Sequence, residues 1–291
     1  MEKQLSLFDS QQYGAPTKVV NVASVPQRSP FRYPGGKTWL IPTVRKWLRQ
    51  SYESKKLLEP LAGGGIVSLT AAFENLATEI VMVELDREVA AVWEVIINGD
   101  HAWLANKIYS FELNAENARA ILLKEDKTTE EQAFSTILKN RIFHGGIITK
   151  GSGLIKNGEN GKGIKSRWYP KTLRNRILAI GHVKSKMRFV QGDAFEELEK
   201  IKNEVNTYSF IDPPYIVAGK RLYTHFEIDH DALFSLTAQL KGKFMLTYDD
   251  TEEIRMLADK YNLDFRVIPM KTTHHIQKNE IIISDNFDWW N

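Results

Sequence analysis

The chain has 291 residues, of which 43% are hydrophobic and 11% aromatic, enough for the core of one large domain or of one domain with an insertion. It contains no cysteine, so disulfides, thiolate metal sites and cysteine nucleophiles are excluded. Neither a signal peptide nor an apolar stretch of membrane-spanning length is visible, and we expect a soluble, cytoplasmic protein.

The net charge of +3 is distributed unevenly along the chain. Between Lys139 and Arg188 there are thirteen Lys or Arg residues and a single acidic residue, Glu159, so this stretch carries +12. The rest of the chain then carries −9. Such asymmetry indicates that one part of the molecule presents a face that binds a polyanion.

Residues 1–28 are rich in Gln, Ser, Pro and Val without a sustained period, which predicts a flexible tail. Within the tail, Gln4–Phe8 resembles the short peptide by which bacterial replication and repair proteins dock on the sliding clamp. A Leu and a Phe would anchor it in a pocket and the Gln would fix its orientation. The alternative is that these two apolar side chains pack on their own domain.

Two glycine-containing motifs follow the tail. In Phe31–Lys37, a glycine pair after a proline lets the backbone approach a ligand closely, and Lys37 can reach a carboxylate. The alternative is an ordinary turn before the predicted helix Thr38–Gln50. The second motif is a predicted strand, residues 56–60, followed by a glycine-rich turn and a helix. It has neither the dinucleotide-binding nor the phosphate-loop spacing.

Acidic residues end the first two predicted strands. Glu59 argues against an anionic phosphate ligand and for a ligand with a cationic group, such as the α-amine of S-adenosylmethionine. The second strand, residues 79–83, ends at Glu84, about 20 residues past the glycine-rich turn, where an acid commonly binds ribose hydroxyls. Asp86 is the reserve for that role, although it is better placed to cap the predicted helix Arg87–Ile97.

Residues 100–143 have a helical pattern, and the next segment, Gly145–Gly163, contains seven glycines. A loop this long in a compact domain is usually functional or disordered. Basic residues interleaved with Trp and Tyr follow, and then the basic helix Thr172–Ile180; we favour DNA contact over a solvated basic loop. The predicted DNA-binding residues are Lys139, Arg141, Lys150, Lys156, Lys165, Arg167, Trp168, Lys171 and Arg174.

Further strands are predicted along the second half of the chain. They are residues 187–190, 208–211 and 244–248, and a closing hairpin formed by 265–270 and 280–284. Asp193 either bonds the amino group of the cofactor's adenine or caps the helix Ala194–Lys200. Asp229 is the predicted N-cap of the helix that follows it. The His residues at 230, 274 and 275 lack metal-ligand spacing with acids, so we assign no metal site.

The tetrapeptide Asp212-Pro213-Pro214-Tyr215 lies at the end of a predicted buried strand, where open α/β sheets bind ligands. An exocyclic amine of adenine or cytosine is a poor nucleophile. Asp212 and the carbonyl of Pro213 can each accept one amine hydrogen, which favours a nitrogen lone pair aimed at an electrophile. Tyr215 can stack on an extruded base, which is worth about 1–3 kcal/mol. The alternative is a strand that ends in a Pro-Pro turn with a surface acid.

Several of these motifs together resemble a Dam-type (D12 class) DNA adenine-N6 methyltransferase over residues 29–290. Phe31–Lys37 resembles the family's amino-terminal cofactor motif, and Glu59–Gly65 resembles its Glu-Pro-Phe-x-Gly-x-Gly with Leu61 where Phe is usual. Asn140–Gly145 resembles the start of its target-recognition region. Asp212–Tyr215 matches its catalytic tetrapeptide.

The resemblance implies a Rossmann-like α/β methyltransferase sheet with an inserted, mainly helical target-recognition domain. The catalytic domain would span 29–98 and 187–291, and the insert 99–186. It also implies a bacterial or phage-encoded enzyme that transfers a methyl group from S-adenosylmethionine to adenine N6 in duplex DNA. Cofactor-binding residues would be Tyr33, Lys37, Glu59, Gly63, Gly65, Glu84, Asp193 and Asp212.

Three alternatives remain open on the residues alone. Cytosine-N4 methylation uses the same amine chemistry, and methylation of a protein glutamine amide is disfavoured by the basic insert. A DNA-binding subunit of this fold without turnover is disfavoured by the intact catalytic tetrapeptide and Lys37.

Overall fold

The computed structural model describes residues 25–33, 35–50, 54–148, 152–158, 161–215, 227–271 and 277–290. The clamp-like peptide Gln4–Phe8 and the predicted DNA contact Lys150 lie outside these residues. In the described part of the chain, no helix combines the length and the apolar character that crossing a membrane requires.

A seven-stranded sheet forms the centre of the molecule, in the order β3-β2-β1-β4-β5-β7-β6. The strands are β1 Lys56–Glu59, β2 Glu79–Glu84, β3 Met187–Gln191, β4 Thr207–Ile211, β5 Lys243–Asp249, β6 Asp264–Lys271 and β7 Gln277–Ser284. Strands β1 to β5 pair in parallel, whereas β7 runs antiparallel to both β5 and β6. All seven predicted strands are present, because their apolar runs suit strands that are covered on both faces.

Helices cover both faces of the sheet. The α-helices are α1 Ile41–Arg49, α2 Ile66–Phe73, α3 Arg87–Trp93, α4 His101–Ser110, α5 Ala115–Leu123, α6 Thr129–Ile142, α7 Pro170–Gly181, α8 Ala194–Ile201, α9 His230–Thr237 and α10 Glu252–Lys260. A short 3-10 helix, Lys37–Leu40, precedes α1, and a π-helical turn, Glu94–Asn98, extends α3. Asp229 accepts the backbone N–H of Ala232 at 2.9 Å and so caps α9, as predicted.

The apolar core extends from the sheet into the segment between residues 99 and 186. Trp47 and Trp93, next to the sheet, belong to the same buried cluster as Phe134 of α6 and Ile177 of α7. A smaller cluster within the segment comprises Leu113, Ala118, Leu138 and Ile142. Helices α4, α6 and α7 therefore share a core with the elements around the sheet. The domain division at 98/99 and 186/187 stays a prediction.

The strand order places the site. Strand β1 has β2 on one side and β4 on the other, so the crossover connections diverge between β1 and β4. In parallel sheets a ligand crevice opens outside the carboxyl ends of strands at such a point. Glu59, Glu84 and Asp212 occupy or directly follow those carboxyl ends.

Candidate active site

Asp212 follows β4 and is held at one of its two carboxylate oxygens. Lys37 Nζ lies 2.9 Å from Oδ1, and the Thr247 hydroxyl on β5 donates to the same oxygen at 2.7 Å. Among the described residues no hydrogen bond to Oδ2 is present, and Asp212 stays partly exposed. The carboxylate is therefore fixed in orientation and still has an oxygen that can accept a hydrogen from a ligand.

Lys37 is 3% exposed and contacts several groups of the site. Its ammonium donates to the Tyr215 hydroxyl at 2.5 Å and to the carbonyl of Gly35 at 3.3 Å, and it lies 3.7 Å from the Glu280 carboxylate. Burial lowers the pKa of Lys37, but the negative charges of Asp212 and Glu280 outweigh it and leave the pKa raised. Lys37 is thus a permanently charged bridge between two carboxylates.

Tyr215 packs inside this cluster. Its hydroxyl donates to Glu280 Oε2 at 2.9 Å, and its ring is tilted by 32° against the ring of Tyr248, with centroids 6.2 Å apart. Burial raises the pKa of Tyr215 well above its ordinary value, and the negative charges of Asp212 and Glu280 raise it further. The phenol is therefore a neutral hydrogen-bond donor at physiological pH.

Glu59 and Glu84 bring two further carboxyl groups to the same edge of the sheet. Burial raises the pKa of Glu59 to about 8; hydrogen bonds from Ser68 offset part of the rise, and the charges of Asp212 and Glu84 add to it. Burial likewise raises the pKa of Glu84 to about 7, partly offset by the backbone N–H of Asp86. Clustered carboxyl groups with raised pKa values suit a ligand that carries positive charge.

The glycine-rich turn lies between these acids and Tyr33. Gly63 has a φ of 46°, and a Cβ there would lie 2.6 Å from the Tyr33 ring. Gly63 also donates its N–H to Glu84 Oε2 at 2.9 Å, while its carbonyl accepts from Trp93 Nε1 at 2.8 Å. Gly65 has a φ of 63°, and a Cβ there would lie 2.6 Å from Met82. The structure therefore brings together Tyr33, the turn and Glu84, which were predicted separately.

Asp86 and Asp193 both act as helix caps. Asp86 Oδ1 accepts from the backbone N–H of Glu88 at 2.8 Å, which confirms its predicted preference for capping. Asp193 Oδ1 accepts from Phe195 N–H at 2.8 Å and Glu196 N–H at 3.4 Å. Capping thus occupies Oδ1 of Asp193, and its second predicted role, toward the cofactor, stays a prediction.

A strap formed by residues 29–33 connects the site to helices α6 and α7. Asn140, 2% exposed, holds the backbone of Arg32 from both sides: its Oδ1 accepts the N–H at 2.8 Å and its Nδ2 donates to the carbonyl at 3.0 Å. Arg176 Nη1 donates to the carbonyl of Ser29 at 3.0 Å. The Ser29 hydroxyl in turn donates to the carbonyl of Gly64 at 2.6 Å. The strap therefore links helices α6 and α7, the glycine turn and the residues that lead to Lys37.

Arg141 corrects one sequence-based prediction. Its side chain is 4% exposed and donates to the carbonyl of Pro30, so it does not fit the DNA contact predicted for it. Burial, together with the positive charge of Arg176, lowers its pKa to about 10. Asn140, Arg141 and Ile142 are consecutive and all buried, so the last turn of α6 is enclosed on most sides, and the basic character of the segment concealed this.

The remaining predicted DNA contacts differ in exposure. Those with exposed or partly exposed side chains are Lys156, Lys165, Arg167, Lys171 and Arg174. Trp168 packs edge-on against Phe111, with ring centroids 6.1 Å apart, and Tyr169 next to it is 54% exposed. Lys139 Nζ lies 2.5 Å from the Glu88 carboxylate on α3, so Lys139 forms an ion pair within the protein.

Two site residues were missed at the level of sequence, Glu280 and Thr247. Both come from strands that were predicted. The contact of Thr247 with Asp212 depends on the parallel pairing of β4 and β5, and the contact of Glu280 with Tyr215 depends on the antiparallel pairing of β5 and β7. An acid directly before the apolar run Ile281–Ile283 was the available signal for Glu280. In the described ranges, no group of three or more His, Asp or Glu side chains is arranged to hold a metal ion.

Comparison with known proteins gives the family. Residues 33–276 match the D12 class N6 adenine-specific DNA methyltransferase family. Among curated proteins there is no match. The fold and the site define an S-adenosylmethionine-dependent methyltransferase. The chain belongs to the D12 class N6 adenine-specific DNA methyltransferase family, and the predicted Rossmann-like α/β methyltransferase fold is confirmed.

Solved structures of other methyltransferases resemble this one remotely. A proposed RNA methyltransferase from Pyrococcus horikoshii is 12% identical with a TM-score of 0.40, over 87% of this chain and 84% of that one. An rRNA methyltransferase from Streptomyces viridochromogenes is 12% identical with a TM-score of 0.38, over 86% and 85%. An S-adenosylmethionine-dependent methyltransferase from Agrobacterium tumefaciens is 9% identical with a TM-score of 0.41, over 85% and 60%.

Proposed function

We propose that this enzyme is a site-specific DNA methyltransferase that methylates N6 of an adenine in duplex DNA after the base has been flipped out of the helix. The observation that carries the proposal is the hydrogen bonding of the Asp212 carboxylate. One of its oxygens is fixed by Lys37 and Thr247, and the other accepts no hydrogen bond from any described residue, which leaves it for a ligand at the end of β4. Family membership supports adenine as the base that is methylated.

The chemistry follows from the positions of these groups. Asp212 Oδ2 accepts one hydrogen of the adenine amine and the carbonyl of Pro213 accepts the other, which favours a tetrahedral nitrogen whose lone pair points at the methyl donor and is no longer delocalised into the ring. S-adenosylmethionine, when bound, supplies an electrophilic methyl group on a sulfonium. The nitrogen–carbon bond would form as the carbon–sulfur bond of the sulfonium breaks and a neutral thioether leaves. Positive charge would then develop on the amine beside the carboxylate of Asp212, which stabilises it. The amine would lose one proton to this carboxylate, which passes it to water.

We assign the cofactor to the crevice formed by Tyr33, the glycine-rich turn and the acids at the strand ends. Glu59 and Glu84 would face the positive part of the ligand or its hydroxyls, because both lie in a cluster of carboxyl groups with raised pKa values. Gly63 and Gly65 keep the turn close to the Tyr33 ring and to β2. Asp193 would bond the adenine amino group of the cofactor through the oxygen that does not cap α8.

We assign the flipped base to the face of Tyr215. Stacking of a base on an aromatic ring contributes about 1–3 kcal/mol, comparable to the few kcal/mol that extrusion from the duplex costs. The hydrogen bond from the Tyr215 hydroxyl to Glu280 supports this assignment, because it holds the hydroxyl end of the ring in the site.

We assign DNA binding to residues 99–186. Lys156, Lys165 and Lys171 are exposed on this segment, and Tyr169 beside them is more than half exposed. Exposed cations next to an aromatic ring suit a phosphate backbone with one unstacked base. Lys139 and Arg141 are engaged within the protein and do not belong to this surface.

The test is transfer of labelled methyl from S-adenosylmethionine to unmethylated duplex plasmid DNA, followed by nucleoside analysis and base-resolved mapping. We expect N6-methyladenine at one short recurrent site. The control is the same reaction with single-stranded DNA and with RNA. Methyl transfer to RNA alone, or N4-methylcytosine as the product, would refute the proposal.

Docking of Gln4–Phe8 on the sliding clamp is a separate proposal, supported only by its sequence. Deletion of residues 1–10 tests it. We expect the deletion to abolish pull-down by the clamp while methyl transfer is unchanged; unchanged pull-down would end the proposal.

A further inference from the structure

Glu280 reaches the site from a strand that is distant in sequence from all the catalytic motifs. In the antiparallel pairing of β7 with β5, Glu280 lies opposite Asp249, at the end of β5 nearest to Asp212. Its side chain is 4% exposed. A carboxylate is almost never buried to this degree without partners, so its contacts indicate what holds it there.

Glu280 contacts Tyr215, to which the target base is assigned, and Lys37, which holds Asp212. Glu280 Oε2 accepts the Tyr215 hydroxyl at 2.9 Å and lies 3.7 Å from Lys37 Nζ. The Tyr215 hydroxyl also accepts from Lys37 at 2.5 Å, so the phenol is fixed from two sides. The ring of a phenol bonded in this way cannot swing out of the site without losing buried hydrogen bonds at its hydroxyl.

The charges of the cluster give Glu280 a second role. If Asp212 were the only carboxylate beside Lys37, the ammonium would neutralise the group that has to stabilise the positive amine. With Glu280 present, the ammonium is shared between two carboxylates at 2.9 Å and 3.7 Å. The cluster of Lys37, Asp212 and ionised Glu280 then carries one net negative charge, which favours a cationic transition state.

We propose that Glu280 is a positioning residue for methyl transfer: through the Tyr215 hydroxyl it fixes the ring on which the target base stacks, and through Lys37 it preserves the negative charge of Asp212. The inference rests on the proposed function in that the target base is taken to stack on Tyr215. Glu280 itself does not touch the reacting atoms.

The ionised form of Glu280 is the active one, and its surroundings set the pH at which it forms. Burial raises the pKa of Glu280 to about 7; the charge of Lys37 lowers it, and the charges of Asp212 and Asp249 raise it. The groups that face it are Lys37 from the 3-10 helix, Asp212 and Tyr215 after β4, and Asp249 from β5. Activity therefore rises as the pH increases through about 7.

The experiment compares Glu280→Gln, Tyr215→Phe and the double variant in methyl transfer to duplex DNA. Glu197→Gln is the matched control, because Glu197 is also buried and paired with a lysine, Lys200, but lies on α8 away from the site. We expect Glu280→Gln to lower kcat about tenfold or more, with the Kd for S-adenosylmethionine changed less than about threefold. We also expect Glu280→Gln to slow the Tyr215→Phe variant by a smaller factor than it slows the wild type, because only the effect through Lys37 remains to be lost.

Two further readouts separate positioning from a merely structural effect. The rise of kcat through pH 7 is expected to disappear in Glu280→Gln and to persist in Glu197→Gln. Independently of any DNA substrate, a carbon-13 label at the tyrosine phenol carbon gives a resonance for Tyr215, identified by its loss in Tyr215→Phe. That resonance is expected to shift between pH 6 and 8 in the wild type and to stay constant in Glu280→Gln.

The outcomes are distinct. A kcat of Glu280→Gln within twofold of wild type, or independent effects in the double variant, overturns the proposal. If the wild type methylates no DNA, the proposed function fails. The Tyr215 resonance then tests on its own whether Glu280 contacts the Tyr215 hydroxyl. If Glu280→Gln does not fold, Glu280→Asp replaces it, which keeps the charge and shortens the reach. A normal kcat for that variant also overturns the proposal.

Discussion

The two oxygens of the Asp212 carboxylate have different environments, and this difference leads to a prediction for Asp212→Ala. Removal of the carboxylate removes the acceptor for the amine hydrogen, so we expect kcat to fall by about 10²–10³-fold or more. Lys37 keeps Glu280 as a partner at 3.7 Å, so the fold is expected to survive. Methyl transfer and DNA binding are measured together. Loss of DNA binding in a folded protein would contradict the assigned role.

Glu59 gives a prediction with a defined pH dependence. Its pKa is about 8 in the folded protein and 4.5 as the ordinary value, so the folded state retains a proton that the unfolded state releases. Stability contributed by this group is present below pH 4.5 and is lost as the pH rises toward 8. Glu59→Gln cannot lose a proton, and we expect it to be more stable than wild type by about 1–2 kcal/mol at pH 8.

Urea unfolding of both proteins at pH 5 and pH 8 measures this difference. The stability gap between Glu59→Gln and wild type is expected to widen from pH 5 to pH 8. A gap of equal size at both pH values would show that the carboxyl group is not held protonated. The same substitution is expected to weaken binding of S-adenosylmethionine about tenfold, because an amide, unlike the carboxyl group, cannot give up a proton and become the countercharge of a cationic ligand.

At the scale of the elements, the strap of residues 29–33 makes the site depend on α6. Asn140→Ala leaves the N–H and carbonyl of Arg32 without the partners they have in the wild type, and we expect a loss of about 1–3 kcal/mol in the free energy of unfolding. Because the strap leads to Tyr33 and Lys37, the Kd for S-adenosylmethionine is expected to rise as well. Asn106→Ala is the control, since Asn106 is exposed on α4. If both variants had the same free energy of unfolding and the same Kd, the strap would not be what holds the site to α6.

The elements themselves could be predicted from the sequence to a large extent. The apolar runs of the strands and the caps Asp86 and Asp229 are local signals, and the structure agrees with them. Contacts between distant elements could not be predicted in this way. The burial of Arg141 depends on which face of α6 turns toward Pro30, and the place of Glu280 depends on the register between β5 and β7. Neither is fixed by composition or by spacing along the chain.

At the scale of the whole molecule, the uneven charge predicts how DNA binding depends on salt. Each lysine that neutralises a phosphate contributes about one unit to the slope of log K against log salt. We expect Lys165→Ala and Lys171→Ala each to reduce the slope by about one, whereas Lys200→Ala on α8, away from the insert, leaves it unchanged. Titration of duplex DNA at several salt concentrations measures the slope. An unchanged slope in both insert variants would place the DNA on another surface.

The position of β7 between β5 and β6 has a consequence for synthesis of the protein. Strand β6 leaves the ribosome before β7, yet it joins the sheet only through β7. A nascent chain that has emerged as far as Lys271 holds Lys37 and Asp212 but lacks Glu280, and the edge of β5 is still open to incorrect pairing. Completion of the sheet and completion of the charged cluster are therefore one event, so a chain on the ribosome acquires an ordered active site only when β7 has been made.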